Sequence, residues 1–151
     1  MFRFVVTANG GSDDLGLYQG TLRQNLAFMD RFWLCEVGYP EPEAEVKLLE
    51  RLSPAIPESL RRTMVDYANQ VRRLFIGEGD SQQPGETIEV TFSTRTLIRW
   101  ANLTLRFQPL ARQGVQPVIH ALDRALGFRA SRSTRALLHE LGQRMFAPPA
   151  G

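Results

Sequence analysis

Asn9, Arg31 and Arg95 are the positions where residue type and setting together allow chemistry. Asn9 ends the apolar run Phe2-Arg3-Phe4-Val5-Val6-Thr7-Ala8. An amide at the tip of a buried strand can orient a water or touch a phosphate oxygen, because ligands of open α/β sheets lie beyond the strand ends. An Asn at such a place also serves simply to turn the chain. Arg31 closes a helical pattern, with only Phe32 before the next apolar run. A guanidinium held on a rigid element can reach across an interface and neutralise charge on a transferring phosphoryl group. It can equally pair with Asp30 or a neighbouring carboxylate. Arg95 falls in the first turn of a helix capped by Ser93, where a cation opposes the macrodipole unless a carboxylate or phosphate lies close by.

The elements that must position these residues change character along the chain. Phe2, Phe4 and Val6 alternate with Arg3 and Val5 as in a mostly buried strand. Residues 10–21 hold four glycines, two aspartates and a serine, and read as a loop. Thr21 then caps a short helix with Leu22, Leu26 and Met29 at helical spacing. A second apolar strand, Trp33 to Tyr39, runs to Pro40, and its setting predicts a buried thiol at Cys35. Tyr39-Pro40-Glu41-Pro42 is a rigid joint. Beyond it the periodicity is helical. The expected apolar faces are Val46/Leu49/Leu52, Leu60/Met64/Tyr67/Val71/Leu74, Leu97/Trp100/Ala101/Leu105, Val118/Ile119/Leu122/Leu126 and Leu137/Leu138/Leu141/Met145. Glu43 and Glu45 sit in the first turn of the first of these helices, where the macrodipole favours acids. A loop is expected over 77–86, then a brief extended piece at Ile88, Val90 and Phe92. The fold expectation is therefore an α/β piece over residues 1–40, two strands and one helix, followed by a mainly α-helical region over 41–151. Two lone strands would leave apolar faces and edges in need of a partner.

Several function classes find no support. The 151 residues are 43% hydrophobic and 23% charged, ordinary for a globular chain. No apolar run approaches the roughly 20 residues of a membrane span, and Met1 to Thr7 is too short and too quickly polar for a signal peptide; a cytoplasmic protein is expected. The net charge of +2 and pI of about 9.1 rest almost wholly on arginine, since Lys47 is the only lysine. No block of basic residues marks a nucleic-acid surface. The lone Cys35 makes no metal site by itself, and His120 and His139 stand far apart with no acidic partner at ligand spacing. No G-x-G-x-x-G opens a helix after the first strand, and no G-x-x-x-x-G-K-[ST] occurs.

The pieces Phe4-Val5-Val6-Thr7-Ala8-Asn9, Gly16-Leu17-Tyr18-Gln19-Gly20-Thr21, Met29-Asp30-Arg31-Phe32, Tyr39-Pro40-Glu41-Pro42 and Ser93-Thr94-Arg95, in this order and spacing, resemble the second half of an AAA+ ATPase module. The similarity is to the MoxR-like group, which includes the ATPase subunit of cobalt chelatase, the rubisco-activating ATPases and the gas-vesicle ATPases. It is good over residues 2–52, looser to about 107, and beyond that rests mainly on helical pattern. The resemblance implies that residues 1–40 are the C-terminal part of a P-loop core and 41–151 a helical lid. It implies that Asn9 is the first sensor, aligning the attacking water, that Arg31 is an arginine finger acting on a neighbouring subunit's nucleotide, and that Arg95 is the second sensor.

The resemblance further implies ATP and Mg²⁺ as cofactors of the complete module, a ring of subunits, hexameric in this group, and a client or a von Willebrand A type partner. The phosphate-binding loop and the Asp-Glu strand of such modules do not occur in this sequence. The expectation is that this chain alone neither binds ATP tightly nor hydrolyses it, and that it works with a P-loop half. The alternative is a non-catalytic helical interaction module derived from such a lid. Neither nucleic acid nor membrane is expected as a partner.

Overall fold

In the computed structural model, which describes residues 33, 35, 37–76 and 90–147, the first helix begins where proline and acid dictate. Pro42 takes the first position of α1 (Pro42–Leu52), where its missing N–H costs nothing, and Glu43 and Glu45 follow in the first turn. The helix ends at Ser53, which precedes Pro54 and leaves the α region at φ −142°. The Ser53 hydroxyl donates to Asn102 Oδ1 at 3.0 Å. The turn into the next helix is held by Arg61, whose Nη1 donates to the Ile56 carbonyl at 2.6 Å.

Helix α2 (Glu58–Ile76) buries Met64, Val65, Tyr67, Ala68 and Val71 along one stripe. Helix α3 (Thr94–Phe107) is capped by Ser93, whose Oγ accepts the Thr96 amide at 3.2 Å, as its sequence predicts. A 3₁₀ segment, Gln108–Gln113, ends at Gly114, whose φ of +76° only glycine adopts without strain. Pro117 opens α4 (Pro117–Ala125), and a second 3₁₀ turn, Gly127–Arg129, leads to α5 (Arg132–Phe146), capped by Ser131.

Helix α3 packs most extensively on α4, α1 lies on α2, and α5 closes against α2 and α4. Four aromatic rings pin these helices together. Trp100 lies 5.1 Å from Tyr67, 5.6 Å from Phe92 and 5.6 Å from Phe146, ring centre to ring centre. Their polar ends are satisfied across helices: Trp100 Nε1 donates to Val118 O and the Tyr67 hydroxyl to Leu138 O, both at 2.8 Å. Burial pushes the Tyr67 phenol far above its ordinary pKa, with the Asp123 charge adding to the effect. The Gly142 backbone approaches α4 so closely that a Cβ there would lie 2.8 Å from Ile119 Cδ1.

The chain divides into two units, Met1–Val37 and Gly38–Gly151, and every helix described belongs to the second. No strand occurs among the described residues. The expected strand Phe2 to Val6, the helix after Thr21 and the loop at 77–86 lie outside them. Trp33, Cys35 and Val37–Tyr39, expected as strand, are irregular rather than strand. Cys35 is exposed rather than buried, alongside exposed Trp33 and Val37, so the apolar run does not face a core at these positions. Leu52, expected on the buried face of α1, is half exposed at the helix end. Phe92, read only as part of an extended piece, is fully buried against Tyr67 and Trp100.

Candidate functional site

The turn that carries Arg95 is fixed by a buried ion pair. Glu45 of α1 is wholly buried, and its carboxylate takes two parallel hydrogen bonds from Arg72 of α2: Nη1 to Oε2 at 2.8 Å and Nη2 to Oε1 at 2.9 Å. Taking both charges out of water costs several kcal/mol per ion unless the geometry is good and the remaining donors and acceptors are used. Here they are used. Thr94, the first residue of α3, donates its hydroxyl to Glu45 Oε1 at 2.7 Å. Arg72 Nε donates to the Phe92 carbonyl at 2.7 Å and Nη1 also reaches Asn69 Oδ1 at 2.8 Å. The Tyr39 ring lies over the same guanidinium, 4.1 Å from its carbon, and the Tyr39 hydroxyl shares a 2.7 Å hydrogen bond with Thr91.

The segment 91–94 is thus held at Thr91, Phe92, Ser93 and Thr94 in succession. Arg95 follows directly, on the second residue of α3. It is exposed, and among the described residues it makes neither a hydrogen bond nor an ion pair. The first turn of α3 has no acid to offset it. A free guanidinium is therefore aimed outward from a helix N-terminus whose own N–H groups also favour an anion. Arg99, one turn on, and Arg106 line the same open groove of about 720 Å³, with Ile98, Asn102 and Leu103. These side chains can hold and neutralise an oxyanion; among the described residues no cluster of three or more His, Cys, Asp or Glu is placed to hold a metal ion.

Residues 45–145 match the family model described as CbbQ/NirQ/NorQ C-terminal. The chain belongs to the CbbQ/NirQ/NorQ C-terminal family. The match begins at Glu45, the buried carboxylate, and contains Arg72, Thr94 and Arg95. This membership agrees with the C-terminal part of a MoxR-like AAA+ ATPase, to which the motif series pointed. No curated protein and no solved structure matches the chain.

Of the three site residues named from sequence, this family region holds only Arg95; Asn9 and Arg31 lie outside the described residues. Sequence reasoning missed Glu45, Arg72 and Thr94 as a unit. Glu45 was read as a macrodipole acid, yet it falls four residues before Leu49 on the apolar face. Arg72 falls four and seven residues after Ala68 and Val65, which are buried. A charge of each sign on two inward faces was the available signal. His139, which has no acidic partner at ligand spacing in the sequence, meets one in space: its Nε2 lies 2.8 Å from Asp123 Oδ1, an α4–α5 contact that sequence spacing could not reveal. His120 packs edge-on against Phe107, 4.8 Å between ring centres. No helix among the described residues is long and apolar enough to cross a membrane.

Proposed function

We propose that this chain is part of a MoxR-like AAA+ ATPase that couples ATP hydrolysis to the remodelling of a partner protein, with Arg95 as its second sensor. The observation that carries this reading is the contrast at the start of α3: the segment 91–94 is tied down on successive residues, while the Arg95 guanidinium is exposed and, among the described residues, unpaired. Electrostatic stabilisation of a phosphoryl group needs a cation held on a rigid element and free of competing carboxylates. Arg95 meets both conditions and would hold a phosphate oxygen of ATP. Bound ATP with Mg²⁺ supplies the phosphoryl-transfer chemistry of the complete module.

In the same reading Asn9 orients the attacking water and Arg31 acts in trans on a neighbouring subunit of a hexameric ring, roles that rest on the T-A-N and D-R-F motifs. The client, or a von Willebrand A type partner, engages the assembled ring. The chain carries no G-x-x-x-x-G-K-[ST], so it needs a P-loop half to cradle the phosphates and is inactive in isolation. The test mixes this chain with the matching P-loop half and measures ATP hydrolysis. Activity that appears on mixing and disappears with Arg31→Ala supports the proposal. Absence of activity in every pairing contradicts it and leaves the non-catalytic interaction module.

A further inference from the structure

The Glu45–Arg72 pair does more than close the core between α1 and α2. Beyond the bond from Arg72 Nη1 to Asn69 on its own helix, two of the pair's further hydrogen bonds go to the segment leading into Arg95. Glu45 Oε1 accepts from Thr94, and Arg72 Nε donates to Phe92 O. On its other side the same guanidinium lies under Tyr39, the second residue of the unit that begins at Gly38. Tyr39 in turn shares a hydrogen bond with Thr91. The start of the helical unit and the turn presenting Arg95 are therefore two ends of one network, 52 residues apart between Tyr39 and Thr91. Arg72 is 4% exposed and Glu45 fully buried, so neither can move without carrying the groups bonded to them.

We infer that Glu45, Arg72, Thr94 and Tyr39 are positioning residues for Arg95: they set where its guanidinium stands and couple that position to the joint at Tyr39-Pro40-Glu41-Pro42. This inference rests on the reading of Arg95 as a nucleotide sensor. A pull on Arg95 by an anion is passed through the Thr94 hydroxyl to Glu45, through the ion pair to Arg72, and so to the Tyr39 ring. A displacement at the joint returns along the same bonds. Thr94 is the most informative member because it can be changed without uncovering a buried charge: Thr94→Val keeps the shape and removes only the hydrogen bond to Glu45, whose two bonds from Arg72 remain.

The experiment is a double-mutant cycle in the ATPase reconstituted from this chain and its P-loop half, reading the ATP dependence of hydrolysis for the parent, Thr94→Val, Arg95→Ala and the combined variant. Circular dichroism melts of each chain confirm that the helices are retained. We expect Thr94→Val to lower kcat/KM for ATP about three- to tenfold, Thr94→Ser to restore it, and Thr94→Val to have no further effect once Arg95 is alanine. A purely structural Thr94 would lower the melting temperature in both backgrounds and leave the ATP dependence alone, which overturns the inference. Additive effects on kcat/KM overturn it too. If Arg95→Ala by itself leaves the ATP dependence unchanged, the sensor reading fails at its source, and the inference falls with it.

Discussion

Arg72 and Glu45 face each other in a two-bond fork, 2.8 and 2.9 Å long, with both side chains buried. The pair joins α1 to α2, and its spare valences hold the entry to α3. Removing one partner leaves the other charged and buried. Arg72→Ala or Glu45→Ala should therefore destabilise the fold by about 3–5 kcal/mol, whereas the double apolar replacement Glu45→Leu with Arg72→Met should recover most of that loss. Urea denaturation of the three variants checks the order.

Tyr67 supplies a pH dependence whose sign follows from its burial. Its folded-state pKa is raised by burial first and by Asp123 second. An unfolded tyrosine titrates near pH 10. The proton is held more tightly in the folded state, so this contribution to stability is complete below about pH 10 and is lost as pH rises beyond it. Denaturation midpoints should fall in strongly alkaline solution. Tyr67→Phe should flatten that fall, at a cost of about 1 kcal/mol at neutral pH for the lost bond to Leu138 O.

Gly127 tests the Asp123–His139 contact. A Cβ at Gly127 would lie 2.6 Å from Asp123 Oδ1, the oxygen that meets His139 Nε2 at 2.8 Å. Gly127→Ala must push this carboxylate away, at a cost of about 1–2 kcal/mol. In an Asp123→Ala background the obstructing oxygen is gone, and the same substitution should be nearly neutral. Thermal melts of the four chains give the coupling.

The two helix caps separate stability from function. Ser93 and Ser131 each accept an amide three residues on, both at 3.2 Å. Ser93→Ala and Ser131→Ala should each cost about 1 kcal/mol. Only Ser93 borders Arg95, so only Ser93→Ala should also alter the ATP dependence of the reconstituted ATPase.

The helices were legible because their signals are local: Glu43 and Glu45 in a first turn, Ser93 as a cap, and apolar residues three and four apart; Pro42 and Pro117, read as joint and turn, open helices instead. The placement of Arg95 in a first turn without acids was legible for the same reason, since such a misfit is local. The hydrogen-bond partners of Glu45 and His139, and the bond from Arg72 to the Phe92 carbonyl, were not, because each partner lies 16 or more residues away in the chain, and no periodicity specifies which inward faces meet. Cys35 and Leu52 show the converse error. Hydrophobicity gives a residue a reason to be buried, yet Cys35 is exposed and Leu52 half exposed, because a reason for burial does not by itself fix which face of the chain is covered.

The most direct test of the account is the ATP titration of the reconstituted ATPase carrying Arg95, Arg95→Lys or Arg95→Ala. A charge-assisted contact to phosphate predicts that Arg95→Ala lowers kcat/KM at least about tenfold, that Arg95→Lys keeps part of the effect because the charge remains without the planar fork, and that the melting temperature of the chain stays nearly unchanged, since the side chain is exposed and unpaired among the described residues. Identical ATP titrations for all three would contradict the assignment of Arg95 as a sensor of nucleotide.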